Sequence, residues 1–95
     1  MPIINKLKAL NKIKDNPLNL RYVSKELKND KDVVMAAVSQ DGYALYYASK
    51  DLKNDKDIAM AAVSENYWAL WYVSDDLLFD KDIVKAALIN KSIRH

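Results

Sequence analysis

The sequence predicts an all-α fold: a short α-solenoid of about three 25-residue helical hairpins plus an N-terminal capping helix, about seven helices in all. Three observations predict it. Residues 16–40 (NPLNLRYVSKELKNDKDVVMAAVSQ), 41–65 (DGYALYYASKDLKNDKDIAMAAVSE) and 66–90 (NYWALWYVSDDLLFDKDIVKAALIN) align without insertion. A fixed period of this length marks a stacked repeat array. Apolar residues recur at helical spacing within each copy. The chain has one Gly and two Pro, few for an all-β protein full of tight turns, while its Ala, Leu and Lys suit helices. The expected organisation is a single domain, 1–95, with a cap at 1–15, repeats at 16–40, 41–65 and 66–90, and a tail at 91–95.

Residues 3–14 (IINKLKALNKIK) read as a basic amphipathic helix with Ile3, Leu7, Leu10 and Ile13 along one side. Ile13 aligns with Val38, Val63 and Leu88, and Ala9 with Val34, Ala59 and Val84. The segment is therefore the degenerate second half of a repeat, placed where a terminal cap is needed. A membrane-surface helix is the weaker reading, because these apolar residues have a neighbouring helix to pack on.

The first helix of each copy is expected to open at Asn16, Asp41 or Asn66, whose side chains can cap free backbone N–H groups. Pro17 follows at the first helical position, where its missing N–H costs nothing. The helix should run to Leu27, Leu52 or Leu77. At about 100° per residue, Leu20, Val23, Ser24 and Leu27 form its core face, as do Leu45, Ala48, Ser49, Leu52 and Leu70, Val73, Ser74, Leu77. The opposite face carries Leu18, Arg21 and Tyr22, then Tyr43, Tyr46 and Tyr47, then Trp68, Trp71 and Tyr72. A turn follows at Lys28-Asn29, Lys53-Asn54 and Leu78-Phe79. The second helix opens at Asp30, Asp55 or Asp80 and runs to Gln40, Glu65 or Asn90. Its apolar arc (Val33, Val34, Ala36, Ala37, Val38) leaves only Lys31, Met35 and Ser39 for solvent, the mark of a mostly buried helix.

Composition narrows the chemistry. With 51% hydrophobic and 29% charged residues the chain has a globular balance. It has no Cys, which excludes disulfides and thiolate metal sites. No apolar run reaches the roughly 18 residues of a membrane span, and the N-terminus lacks the apolar core of a secretory signal. An intracellular, soluble protein, cytoplasmic by default, is expected. The net charge of +2 hides an asymmetry: residues 1–28 carry seven basic and two acidic side chains, residues 29–65 four and seven.

The Asp-Lys-Asp triplets at 30–32, 55–57 and 80–82 invite a cation-site reading. A Ca²⁺ loop needs more oxygen ligands and a Gly. The first Asp as a helix cap and the second as a charge favourable to the helix dipole account for the triplet. Ser24, Ser49 and Ser74 have no base to activate them, since the one His is His95, expected to be a frayed terminal side chain. They are expected at helix contacts, bonded back to a backbone carbonyl. No catalytic residue, cofactor or metal site is expected, and the protein is read as no enzyme.

The informative positions are those that vary between copies. Tyr22, Tyr47 and Tyr72 are constant and read as packing positions. The series Leu18, Tyr43, Trp68 and Arg21, Tyr46, Trp71 vary, and Trp, Tyr and Arg dominate protein–protein hot spots. Leu78-Phe79 replaces Lys-Asn, and Ile89 replaces a serine, so the C-terminal end of the stack is the more apolar. An uncapped repeat end exposes its next-neighbour surface; the tail is expected to fold over it, with coverage by another chain as the alternative.

The pattern G-x-A-L-x-Y-A-S-x-x-L-K-N-D-K-D-[IV]-x-x-A-A-V, clearest over residues 42–63, resembles the repeat family called domain of unknown function 4116. The resemblance covers residues 16–90, and the third copy departs at Tyr67, Leu78, Phe79 and Lys85. It implies tandem helical hairpins, often embedded in larger bacterial, protist and viral proteins. It implies no activity and carries no functional residue over.

The expected function is a non-enzymatic protein–protein interaction module, an adaptor or inhibitor. Its expected partner-binding residues are Tyr43, Tyr46, Trp68 and Trp71, with Leu78 and Phe79 as a second patch. The alternatives are nucleic-acid binding through Lys6, Lys8, Lys12, Lys14, Arg21, Lys25 and Lys28, and self-assembly through the C-terminal end.

Overall fold

Asn5, not Ile3, starts the first helix of the computed structural model, which describes residues 2–93. The Asn5 side chain accepts the Lys8 N–H, and α1 spans Lys6–Asp15. Ile3 lies before it in a parallel bridge to Val23. Its N–H donates to Tyr22 O at 2.8 Å, and its carbonyl accepts the Ser24 N–H at 2.7 Å. Ala9 and Ile13 are fully buried, as their alignment with later core positions predicts. Leu7, expected on the same side, is exposed.

The first half of each copy departs from the expected α-helix. Pro17–Tyr22, Gly42–Tyr47 and Tyr67–Tyr72 are six-residue 3-10 helices. Asn16, Asp41 and Asn66 cap them as expected, accepting the N–H of Leu18, Tyr43 and Trp68. Each then stops at an extended residue, Val23, Ala48 or Val73. The chain turns again at Leu27–Asn29 and, in the second copy, through the single helical turn α3, Lys50–Lys53. The reason lies in the serine that follows the extended residue. The backbone N–H groups of Ser24, Ser49 and Ser74 donate to the carbonyls of Ile3, Lys28 and Lys53, each in the preceding unit. A continuous helix would commit those N–H groups internally and forfeit the link between units. The expected core positions still point inward: Leu20, Val23, Leu45, Ala48 and Val73 are buried.

The second halves are regular: α2 Lys31–Val38, α4 Lys56–Glu65 and α5 Lys81–Ile93. Asp30 accepts the N–H groups of Asp32 and Val33, Asp55 that of Ile58, and Asp80 those of Asp82 and Ile83. In chain order α1, α2, α4 and α5 each pack on the next, and the three six-residue 3-10 helices pack in the same order beside them. The core runs between these rows through Ile13, Leu20, Val34, Leu45, Ile58, Val63 and Ile83, all fully buried. Each such side chain contributes roughly 1.5–3 kcal/mol of transfer free energy. The paired alanines sit where helices meet, with Ala37 and Ala62 fully buried. Among the described residues the fold is all-α, 38 × 27 × 16 Å, and no helix is long and apolar enough to cross a membrane.

Among the described residues the expected folding of the tail over the last unit is not seen. Residues 91–93 continue α5 and are exposed. The helix persists because no Asn or Asp follows Asn90 to cap a new 3-10 segment, as Asn66 does after Glu65. His95 lies outside the described residues.

Candidate functional site

The units are joined by a ladder of charge that runs along one edge. Lys6 Nζ lies 3.1 and 2.9 Å from carboxylate oxygens of Asp30 and Asp32. Lys31 repeats this on Asp55 and Asp57 at 3.2 and 2.9 Å, and Lys56 on Asp80 and Asp82 at 3.2 and 2.8 Å. Partial burial pushes the Asp30 carboxyl up, but the Lys6 ammonium and the N–H groups of Val33 and Asp32 outweigh it, leaving it below its ordinary value. Asp55 and Asp80 are lowered against the same burial effect by their own helix N–H groups and by Lys31 and Lys56. The three lysines are raised by their carboxylate hydrogen bonds. The triplet therefore does more than cap a helix: its two carboxylates receive the lysine of the unit before. The signal was present in the sequence, as a lysine at the same register in every unit and in the cap. Among the described residues no group of His, Cys, Asp and Glu could hold a metal ion.

The serine hydroxyls bond forward to backbone N–H groups rather than back to a carbonyl, and that of Ser49 caps α3. Ser24 Oγ accepts the Leu27 N–H, Ser49 Oγ that of Leu52, and Ser74 Oγ that of Asp76. The extended residue before each serine places it at the start of a turn, a helical one (α3) after Ser49, so its hydroxyl meets free N–H groups ahead and not carbonyls behind. Ser49 also donates to Asn29 Oδ1 at 2.6 Å, in the preceding unit.

The predicted aromatic surface is divided by the structure. Tyr43 and Tyr46 stack at 5.9 Å between ring centroids, and both meet the Tyr72 ring edge-on, at 5.4 and 5.2 Å. Tyr47 closes this cluster against Tyr46 at 5.0 Å. Tyr43 and Tyr46 thus spend part of their surface on the neighbouring unit, although both remain exposed on the outside. Lys53 Nζ sits 5.5 Å from the Tyr46 ring, and burial pushes its ammonium below the ordinary value. Trp68 stacks on Tyr67 at 5.4 Å and is 56% exposed. Trp71 is 75% exposed and, with Leu70, Val73 and Leu78, lines a shallow groove of about 430 Å³. Tyr22, expected as a packing position, is exposed in the first copy, where Arg21 donates to its hydroxyl and lies over its ring.

Leu78 and Phe79, paired in the sequence, part company. Leu78 faces the groove of Trp71, whereas Phe79, 86% exposed, faces a groove of about 750 Å³ with Lys81, Val84, Lys85, Leu88 and Ile89. Sequence reasoning picked Phe79 and missed Lys81 and Leu88 as members of that face. Their alignment with Lys56 and with the buried Val63 is the signal that could have found them. The basic residues of the N-terminal end are divided too: Lys6 is held by two carboxylates, while Lys8, Lys12 and Lys14 of α1 stand exposed.

Comparison with the curated proteins and with the solved structures yields no match. A family described as domain of unknown function (DUF4116) matches over residues 5–53, 34–78 and 55–93. These three overlapping segments together span nearly all of the described residues, and the chain belongs to the DUF4116 family.

Proposed function

We propose that the chain is a non-enzymatic module, a short α-solenoid, that binds another protein through its aromatic side. The observation that carries the reading is the pair Trp68 and Trp71, both on the 3-10 helix Tyr67–Tyr72 and 56% and 75% exposed. Two tryptophans close together on one short helix and held largely in water form an apolar patch of the kind that marks an interaction site. Trp is also the side chain most enriched among residues that dominate binding energy. Tyr43 and Tyr46 extend the same side onto the second unit, and the groove of Trp71 and Leu78 supplies a recess for a partner's apolar side chain. The ladder and the inter-unit backbone bonds make the support rigid, which limits the ordering cost of binding. An adaptor or inhibitor role is the form of binding module this reading favours.

The test is quantitative affinity capture with the protein and with its Trp68→Ala, Trp71→Ala variant, after circular dichroism shows equal helicity. A partner retained by the first and lost by the second supports the reading. Identical capture by both overturns it.

A further inference from the structure

We propose that the outer face of α5 is a seat for one helical hairpin of a partner protein, one whose helix opens with two carboxylates two residues apart. Three observations converge on this occupant.

The first is register. Leu88 occupies the position of Ile13, Val38 and Val63, each of which is fully buried by the unit that follows, yet Leu88 is 61% exposed. Val84 likewise stands where Ala9, Val34 and Ala59 are fully buried, and it is only half-buried. The groove of about 750 Å³ along Val84, Leu88, Ile89 and Phe79 is thus the seat that every earlier unit fills with its successor.

The second is charge. Lys6, Lys31 and Lys56 each hold two carboxylates at the start of the next unit's helix. Lys81 is the next rung, at the rim of the groove, and makes no ion pair among the described residues. A partner helix beginning Asp-x-Asp completes the rung.

The third is the asymmetry of the two ends. Positions Val33, Ala36 and Ala37 of α2, repeated as Ile58, Ala61, Ala62 and Ile83, Ala86, Ala87, are replaced in α1 by Lys8, Asn11 and Lys12, all exposed. The N-terminal end is closed by polar residues, and it carries Asn5 and Leu7 where a docking helix has its two Asp. A second copy of this chain seated by α1 would set Lys8 and Lys12 against the apolar groove. A second copy seated by α5 would oppose Lys81 and Lys85 to themselves, and like charges facing across an interface disfavour it. Phe79 and Ile89, apolar where earlier units carry exposed Asn or Ser, widen the face beyond what stacking alone uses.

The experiment attaches a probe to the full chain: a second copy of residues 41–65, joined to the C-terminus by a flexible linker of about 20 residues, so that seating is not forced by the register. The methyl NMR signals of Val84 and Leu88 are expected to shift, and the helical signal to rise, as the tethered unit seats. Lys81→Met, or Asn for both Asp of the probe's Asp-x-Asp, is expected to weaken seating about fivefold, and the two changes together no more than either alone. A tethered unit that leaves α5 unperturbed overturns the proposal. So does seating that is indifferent to Lys81, which would make the face a general apolar contact. Concentration-dependent dimers of the unmodified chain that Leu88→Glu dissolves would assign the face to a second copy and overturn it as well.

Discussion

The Lys31 ammonium sits 2.9 Å from the Asp57 carboxylate, 26 residues along the chain, and the same step recurs from Lys6 to Asp32 and from Lys56 to Asp82. Each lysine also reaches the helix-capping Asp of the same triplet, so the lock between units and the start of a helix share one carboxylate. The pH dependence follows from the direction of the shifts. The capping carboxylates lie below the ordinary 3.8 in the folded state, so their contribution is present above 3.8 and is lost as pH falls through the lower folded values. The lysines lie above 10.5, so their contribution is complete below 10.5 and is lost as pH rises through the higher folded values. Thermal melts should show the ladder intact between these limits and a falling midpoint outside them. Lys31→Met should flatten both falls, since it removes one rung. Added salt should lower the midpoint modestly, because the pairs are largely exposed. Equal pH profiles for the protein and the variant would show that the ladder contributes nothing.

Gly42 marks a close approach of backbones. A Cβ built there would press on Ala62 O and lie 3.2 Å from Asn66 Cβ. The backbone N–H of Gly42 also donates to a Glu65 carboxylate oxygen at 2.7 Å, which holds the start of the 3-10 helix against the end of α4. The clash is with backbone, so no side-chain rotation relieves it. Gly42→Ala should cost about 1–3 kcal/mol in denaturant unfolding, an overpacking penalty. An unchanged midpoint would mean that α4 shifts freely, against the burial of Ala62 and Val63.

Ser49 joins three functions in one residue. Its backbone N–H donates to Lys28 O at 2.9 Å, its hydroxyl caps Leu52 N–H, and the same hydroxyl donates to Asn29. Ser49→Ala keeps the first and removes the other two. A lost cap costs about 0.5–2 kcal/mol, and the loss should appear in urea unfolding with an unchanged slope. Asn29→Ala tests the remaining bond, and the pair of substitutions should be sub-additive, because each single change already breaks the Ser49–Asn29 contact.

How far the sequence speaks depends on what each residue must satisfy. The buried set was legible because period and alignment report burial directly: Ile13, Val38 and Val63 share one register and one environment. The 3-10 geometry of Gly42–Tyr47 was not legible, because six residues cannot separate a period of 3.0 from one of 3.6. The break at Ala48 was hidden for a different reason. It serves a hydrogen bond from Ser49 to Lys28 in another unit, and no local propensity reports a partner that far away. Among the candidate site residues, the exposure of Trp71 followed from its place opposite the core face. The separation of Leu78 from Phe79 did not, since adjacent residues in a turn project in directions that only the turn's geometry fixes.

Val63 and Leu88 hold the same position in successive units and should respond oppositely to truncation. Val63 is fully buried beneath the third unit, so Val63→Ala leaves a cavity between α4 and its neighbours and should cost about 2–3 kcal/mol. Leu88 is the larger side chain, but 61% of it faces solvent, so Leu88→Ala should cost less than about 0.5 kcal/mol. Ranking by side-chain size or by position in the repeat predicts the reverse or equality. The difference arises only if stability at this register is set by whether a further unit lies on top. Chemical denaturation of the two variants checks it directly. A large loss at Leu88 would mean that the outer face of α5 is covered in solution, and the slope and concentration dependence of that unfolding would then show whether the cover is a second molecule.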